Sequence, residues 1–483
     1  MEAEAFEHYL SAHARRGDPP AGAFSGAAGG SACGDLVRIS LGLEGGVVAD
    51  ASFEAEGCSA VRASAAAAVE MAHGAEVLAV ARIGSAALAS ELGGLSSQGA
   101  HGAELAADAL ARALGAAAGS RAALAHAPAS GERVAVAVSG GVDSAVAALL
   151  ERERGAEVVA VTVKLWADRH NDGARSCCSP QAVLGARALA HSLGMAHFTL
   201  DLEEAFRSTV VADFVAGHRE GTTPNPCVLC NGEVRIDAML ALARRLGAGA
   251  LATGHYASLA DDGEGRLLSA PADHAKDQTY MLSGLRPATL EALRFPLAGL
   301  TKPRVRELAA EAGLAVAGKA ESQDLCFLAG EGKRGFLARY GELAEAPGEI
   351  VDSQGAVLGA HRGHHDFTVG QRRGLGLGAA EPLYVLATDP VANRVVVGPR
   401  EELATATVRV RDATLHRPGG RVDRVRLRYR SRPIPCAVAP VAPGAHAALE
   451  IELAEPAHGV APGQTACLMD GELVVGRATI CSA

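Results

Sequence analysis

Apolar residues follow two rhythms along this chain. Between residues 134 and 252, short uninterrupted apolar runs alternate with longer stretches of helical period. The runs 134–138, 158–163, 197–202 and 248–252 read as strands buried on both faces, and 181–193 and 234–246 as helices between them. This alternation predicts a parallel sheet flanked by helices, with ligands at the carboxyl ends of the strands. Residues 286–345 read as mostly helical. Beyond Gly348 short strands take over, at 349–352, 384–387, 394–397, 407–410, 425–430 and 447–453, separated by Gly, Pro, Asp and Asn; this predicts hairpins or a small barrel. Ahead of the sheet lies an Ala-rich module that ends in a run of Ala, Gly and Ser reading as a linker. The expected units are a module 1–115, a linker 116–131, an α/β domain with a helical extension 132–345, a central β domain 346–404 and a C-terminal β-barrel 405–483.

Composition narrows the class. The chain has 483 residues, 49% apolar and 21% charged, enough for several ordinary globular cores. No uninterrupted apolar span reaches the length of a membrane helix, so no membrane partner is expected. The acidic stretch Met1-Glu2-Ala3-Glu4-Ala5-Phe6-Glu7 lacks the basic region of a secretory signal, which predicts a cytoplasmic protein. In that reducing setting the ten cysteines read as reactive or metal-binding rather than disulfide-bonded. The net charge of −10 argues against indiscriminate nucleic-acid binding, but residues 1–131 hold 14 acids, 7 arginines and no lysine, so the rest is nearly balanced.

The sharpest chemical signal is Ser139-Gly140-Gly141-Val142-Asp143-Ser144, set between the first predicted strand and a helix start. A strand, a Gly-Gly turn and a helix N-terminus make an anion site, because free backbone N–H groups and the helix dipole face the ligand. No Gly-Lys-Ser/Thr follows, which excludes the common ATPase P-loop. The loop looks like the pyrophosphate loop of enzymes that cleave ATP to AMP and pyrophosphate while adenylating a carbonyl oxygen.

Two cysteine segments follow: Thr223-Pro224-Asn225-Pro226-Cys227-Val228-Leu229-Cys230-Asn231 and Glu321-Ser322-Gln323-Asp324-Leu325-Cys326-Phe327. Between and after them stand Ala252-Thr253-Gly254-His255-Tyr256-Ala257, Lys276-Asp277-Gln278-Thr279-Tyr280, Phe367-Thr368-Val369-Gly370-Gln371-Arg372-Arg373-Gly374-Leu375 and Ala461-Pro462-Gly463-Gln464. In this order, over about residues 132–480, the motifs resemble the tRNA-specific 2-thiouridylase family (MnmA, or TrmU). The resemblance implies an adenine-nucleotide alpha hydrolase-like (PP-loop) α/β domain and an ATP- and Mg²⁺-dependent sulfurtransferase acting on the wobble uridine of tRNA. It further implies that Cys326 carries a persulfide and Cys230 is the partner nucleophile. ATP would be held by Ala137, Val138, Ser139, Gly140, Gly141, Val142, Asp143, Ser144, Val163 and Gly254. The tRNA would meet Asn225, Pro226, Cys227, His255, Lys276, Asp277, Gln278, Arg428, Tyr429 and Gln464. The chemistry is coherent: adenylation turns a poor leaving oxygen into AMP, and paired thiols deliver a soft sulfur. Cys227 stands where some members carry Asp. Cys227, Cys230 and Cys326 as three thiolates would suit an iron–sulfur cluster with an open iron, so a cluster, a persulfide relay and a zinc site all stay open. An adenylating amidoligase shares the loop but needs neither paired thiols nor a basic strand, and a non-enzymatic iron–sulfur carrier leaves the intact loop without purpose.

In the N-terminal module, Cys33, Asp35, Cys58 and His101 match the ligand positions of the NifU/IscU iron–sulfur scaffold family, which this module resembles as an α+β unit. Gly102 stands where that family has its third cysteine. Delivery of sulfur or iron, zinc binding, and docking of a cysteine desulfurase or sulfur-relay protein are the competing roles. Arg424, Arg426, Arg428, Arg430 and Arg432 alternate with other residues, which on one strand would form a phosphate-binding ridge. His361-Arg362-Gly363-His364-His365 with Arg372-Arg373 reads as RNA contact or plain surface. Cys177-Cys178, Cys436, Cys467, Cys481 and Trp166 read as structural.

Overall fold

A computed structural model describes residues 2–12, 14–30, 34–120, 124, 131–168, 179–320, 325–378 and 381–482. After a first helix, Glu2–Ser11, the module forms three antiparallel strands, β1 (Phe24–Gly29), β2 (Leu36–Glu44) and β3 (Val47–Glu56). Helices α1 (Ser59–Ala72) and α2 (Ser97–Gly119) pack on them. Alanines at Ala63, Ala65, Ala66, Ala67, Ala68, Ala106, Ala109 and Ala113 are buried, so the helices approach closely through small side chains. The linker reading is corrected at its start: α2 runs through Gly119. A Cβ on Gly115 would stand 3.1 Å from the Thr199 carbonyl, so the glycine there serves close packing rather than a turn.

The α/β domain contains the expected parallel strands, β4 (Arg133–Ala137), β5 (Glu157–Lys164), β6 (Ala196–Asp201) and β7 (Ala250–Thr253). The mostly helical reading of 286–345 missed a fifth strand, β8 (Leu293–Arg294), parallel to β7; a two-residue strand leaves no periodic signal. The sheet order is β8-β7-β4-β5-β6, so the direction of winding reverses between β4 and β7, and a crevice opens there at the strand ends. Helices α3 (Val142–Glu153), α4 (Pro180–Ser192) and α6 (Lys302–Glu311) contribute to the core on one face. On the other face lie α5 (Ile236–Arg245) and α2 from the N-terminal module. Val159, Val161, Phe198 and Leu200 thus share one continuous core with Leu110, Leu114 and Ala117 of α2. Arg187 of α4 pairs with Asp108 of α2 at 2.6 Å, and the Ala81 carbonyl accepts from the backbone N–H of His197 at 3.0 Å.

Strands Gly348–Asp352, Val357–His361, Tyr384–Asp389 and Arg394–Gly398 form the central sheet. The last unit closes on itself, because Ala404–Leu415 pairs with both Gly444–His458 and the final strand Leu473–Ser482. A hairpin of the α/β domain, Ser258–Asp261 with Arg266–Ser269, extends this barrel sheet through Leu268 and Val474. No helix among the described residues is long and apolar enough to cross a membrane.

Candidate functional site

The Ser139–Ser144 loop lies at the switch point and is braced from within. Ser144 Oγ accepts from the Ser139 backbone N–H at 3.1 Å and donates to the Gly141 carbonyl at 3.0 Å. Gly140 has φ +71, a conformation that disfavours side chains. Asp143, in the first turn of α3, is held by Lys302 Nζ at 2.6 and 2.8 Å and by Tyr256 Oη at 3.0 Å. Ala137, Val138, Ser139, Asp143, Ser144, Val163 and Gly254 line one cavity at this point, together with Thr162, Thr253, Met239, Arg235, His255 and Gln278. A Cβ on Gly254 would lie 2.7 Å from the backbone of Asp143 and Ser144. Gly254→Ala is therefore expected to push the loop out of place and weaken ATP binding by about 10- to 100-fold, the effect of 1–3 kcal/mol of overpacking. Titration calorimetry checks this, with the unfolding midpoint as control.

A second cavity holds the proline-rich cysteine loop. Pro224, Asn225, Pro226, Cys227, Tyr429 and Gln464 line it, with Phe214, His218, Leu325, Lys333 and Thr368. Asn225 Oδ1 accepts from the Val228 N–H at 3.3 Å and so caps the short helix Pro226–Leu229. The barrel clamps the loop from the far side: Gln464 Nε2 donates to the Thr223 carbonyl at 2.8 Å, and the Thr223 N–H to Pro462 at 2.8 Å. From Cys230 the chain enters a π-helical turn, Cys230–Arg235, before α5. Such turns re-aim side chains and recur at functional sites. Cys230 is buried in a cluster with Trp166, Phe206, Phe214, Phe327 and Phe336, and half-buried Cys326 packs against the same cluster. Trp166 is thereby structural, its ring 5.6 Å from that of Phe336.

Among the described residues, no three His, Cys, Asp or Glu side chains stand together so as to hold a metal ion. The expected convergence of Cys227, Cys230 and Cys326 as three ligands is thus not found. Cys227 faces the second cavity while Cys230 sits in the aromatic cluster. In the N-terminal module Cys33 lies outside the described residues, and the described Asp35, Cys58 and His101 are not by themselves grouped to hold a metal ion. Asp35 Oδ1 instead accepts from the Cys58 backbone N–H at 3.3 Å. His101 Nδ1 lies 3.9 Å from Glu104. A Cβ on Gly102 would meet the backbone of Ala60 and Val61 at 2.8 Å, so the position of the missing cysteine has no room for any side chain.

Several residues expected at the tRNA have a place within the chain itself. His255 lines the first cavity, not the second. Asp277 is buried, paired with Arg426 at 2.7 Å and bonded to the Thr279 N–H at 2.8 Å, and so pins the barrel to the α/β domain. Gln278 Oε1 accepts from the Tyr256 N–H at 2.9 Å. Lys276 ends a short 3-10 turn, His274–Lys276. The five-arginine ridge does not form. The strand stops at Arg426, Arg430 has φ +61, and the chain turns, with Ser431 Oγ donating to the Arg428 carbonyl at 2.9 Å. Arg424 pairs with Asp423 and Arg432 with Glu455, while Arg428 donates to the Gly459 carbonyl. Alternation alone could not reveal these local acids or the turn. The histidine patch is likewise used internally: His361 Nε2 bonds the Asn393 carbonyl at 3.1 Å and His364 Nδ1 the Asn393 side chain at 3.2 Å. Burial pushes the Cys436 and Cys467 thiols up to about 12, as inert fillers require. Cys481, by contrast, is exposed, its Sγ 3.2 Å from the Arg409 carbonyl. Cys177-Cys178 lies outside the described residues.

Sequence reasoning missed Lys302, Tyr256 and Arg235 at the loop, and His218 and Lys333 at the second cavity. Tyr256 stands in the Ala252–Ala257 motif without having been given a role, and the others come from elements remote in sequence and carry no motif of their own.

The chain matches four families: a NifU-like N terminal domain over residues 4–122, a tRNA methyl transferase HUP domain over 132–330, a tRNA methyl transferase PRC-barrel domain over 334–399 and an aminomethyltransferase beta-barrel domain over 401–480. A "Bifunctional protein NifU/MnmA" of Rubrobacter xylanophilus is 45% identical over 94% of this chain and 93% of its own length. A "tRNA-specific 2-thiouridylase MnmA" of Acidobacterium capsulatum is 44% identical over 71% of this chain and 97% of its own. The enzyme of that name from Methylorubrum populi is 46% identical over 70% and 89%. With the loop, the paired cysteines and the barrel all in one chain, the protein belongs to the tRNA-specific 2-thiouridylase (MnmA) family, in the form that carries a NifU-like domain at its N-terminus.

Proposed function

We propose that this chain replaces O2 of the wobble uridine of tRNA by sulfur, consuming ATP and releasing AMP and pyrophosphate. The observation that carries this reading is the joining, by one π-helical turn, of a thiol-bearing segment to a pyrophosphate-loop cavity. The loop N–H groups and Ser139 and Ser144 would bind the phosphates, with Mg²⁺ offsetting their charge. Bound ATP supplies the electrophilic α-phosphorus: uracil O2 attacks it and pyrophosphate leaves. Asn225, Pro226, Cys227, Tyr429 and Gln464, together at the second cavity, would receive the flipped base. The terminal sulfur of a Cys326 persulfide displaces AMP at C2. The Cys230 thiolate then attacks the Cys326 sulfur, freeing 2-thiouridine and leaving a disulfide that an external thiol reduces. A cysteine desulfurase or sulfur-relay protein would recharge Cys326. Cys230 and Cys326 share one aromatic cluster while Cys227 faces the second cavity, which favours this relay over a three-thiolate iron–sulfur cluster, and no step here runs through one. The N-terminal module serves as a docking domain, since Gly102 leaves its scaffold set incomplete.

The test is nucleoside mass spectrometry on unmodified tRNA incubated anaerobically with the chain, Mg-ATP and a desulfurase with cysteine. A 2-thiouridine peak that vanishes without ATP is expected. Its absence, with active controls, would return the amidoligase or carrier readings. An active preparation free of iron is expected from the relay, and activity that tracks bound iron would reverse that choice.

A further inference from the structure

Arg235 is a cation without a carboxylate. It closes the π-helical turn that begins at Cys230 and lines the phosphate-loop cavity. Lys302, across the loop, is neutralised by Asp143 at 2.6 Å. Arg235 forms no ion pair with any described carboxylate; its Nη2 instead meets His255 Nε2 at 3.0 Å. Arg235 can only donate, so His255 Nε2 accepts from it; the proton of the neutral ring is then on Nδ1, which donates to Thr253 Oγ1 at 2.9 Å. Burial and the Arg235 charge hold the His255 pKa down to about 3, so the imidazole is neutral and offers the guanidinium a lone pair but no countercharge. Arg235 Nε is buried and has no acceptor. A half-buried guanidinium with an orphaned donor is costly unless an anion completes it. Phosphate matches its fork of donors.

We propose that Arg235 binds the α-phosphate of the nucleotide and is oriented for this by His255. The inference rests on the adenylation reading above. The Gly140–Ser144 turn and the α3 N-terminus take the terminal phosphates, as loop N–H groups do. Arg235 lines the same cavity from the helical segment that carries Cys230. The reacting phosphorus must come between the loop and the thiol, and Arg235 stands on the segment that joins the two. His255 is then a positioning residue for Arg235.

Equilibrium binding of ATP, AMP and adenosine to the full chain tests this, for the wild type, Arg235→Gln and Arg235→Lys. Arg235→Gln is expected to weaken AMP by about 10- to 100-fold, the loss of charge-assisted bonds, while adenosine stays within about 2-fold. Arg235→Lys should fall between them, since it keeps the charge and loses the fork. Unchanged AMP affinity overturns the proposal, as does an equal loss for AMP and adenosine, which marks a merely structural arginine. If Arg235→Gln does not fold by thermal melting, Arg235→Lys carries the same comparison. A wild-type chain that binds neither ATP nor AMP sinks the adenylation reading itself. Binding by the wild type that Arg235→Gln leaves intact sinks only this inference.

Discussion

Removing residues 1–120 is expected to leave an α/β domain that unfolds or aggregates instead of a free-standing enzyme. The reason is the face of the sheet that α2 covers. Val159, Val161, Phe198 and Leu200 are at most 5% exposed, in a core they share with the module. Moving such side chains fully to water costs roughly 1.5–3 kcal/mol each. Even half of that sum is comparable with the 5–15 kcal/mol that holds a typical domain together. The seam is also polar at its rim: Arg245 donates to the Ala118 carbonyl at 2.6 Å, and Arg82 pairs with Glu157 at 2.8 Å. These rim contacts fix the register of docking more than they add stability. The measurement is the soluble yield, oligomeric state and thermal midpoint of residues 121–483 against the whole chain. A monomeric fragment melting at the same temperature would show that the module is an appendage.

Cys326→Ser and Cys230→Ser are each expected to lower 2-thiouridine formation by roughly 10³-fold or more, as loss of a nucleophile does, while AMP still forms on tRNA. The two differ in what they trap. With a desulfurase and ³⁵S-cysteine, Cys326→Ser should take up no label. Cys230→Ser should take up label and pass it to the tRNA as a mixed disulfide that dithiothreitol releases. Both thiols sit against the Trp166 cluster, where serine differs little in volume, so a folding defect is not the expected cause of failure. Retention of wild-type activity by Cys326→Ser would end the relay scheme, and uptake of label by Cys230 alone would exchange the two roles.

The parallel sheet was legible because its strands are long apolar runs, and the loop was legible because glycine turns and helix starts leave local marks. The thiol segments were legible for the same reason: Asn225 caps and Pro226 starts a helix within a few residues. What escaped was set by partners distant along the chain. Arg426 looked solvent-facing until Asp277 came to meet it, and the pairing of His255 with Arg235, 20 residues away, left no mark in the sequence. Lys302 could not be assigned to Asp143 from a sequence separation of 159 residues. Cavities and ion pairs between remote elements are properties of packing, and periodicity carries no record of them.

The helix Ser97–Gly119 is also the part of this seam that the ribosome makes first. By the time Val159 and Phe198 emerge, the module that shields them has left the exit tunnel and can fold as a unit. The sheet's greasiest face is thus met by a waiting partner during synthesis, and the interval in which a nascent chain could stick to its neighbours is shortened. Moving the same module to the C-terminus is therefore expected to lower the soluble yield in cells, because the sheet face would emerge before its cover.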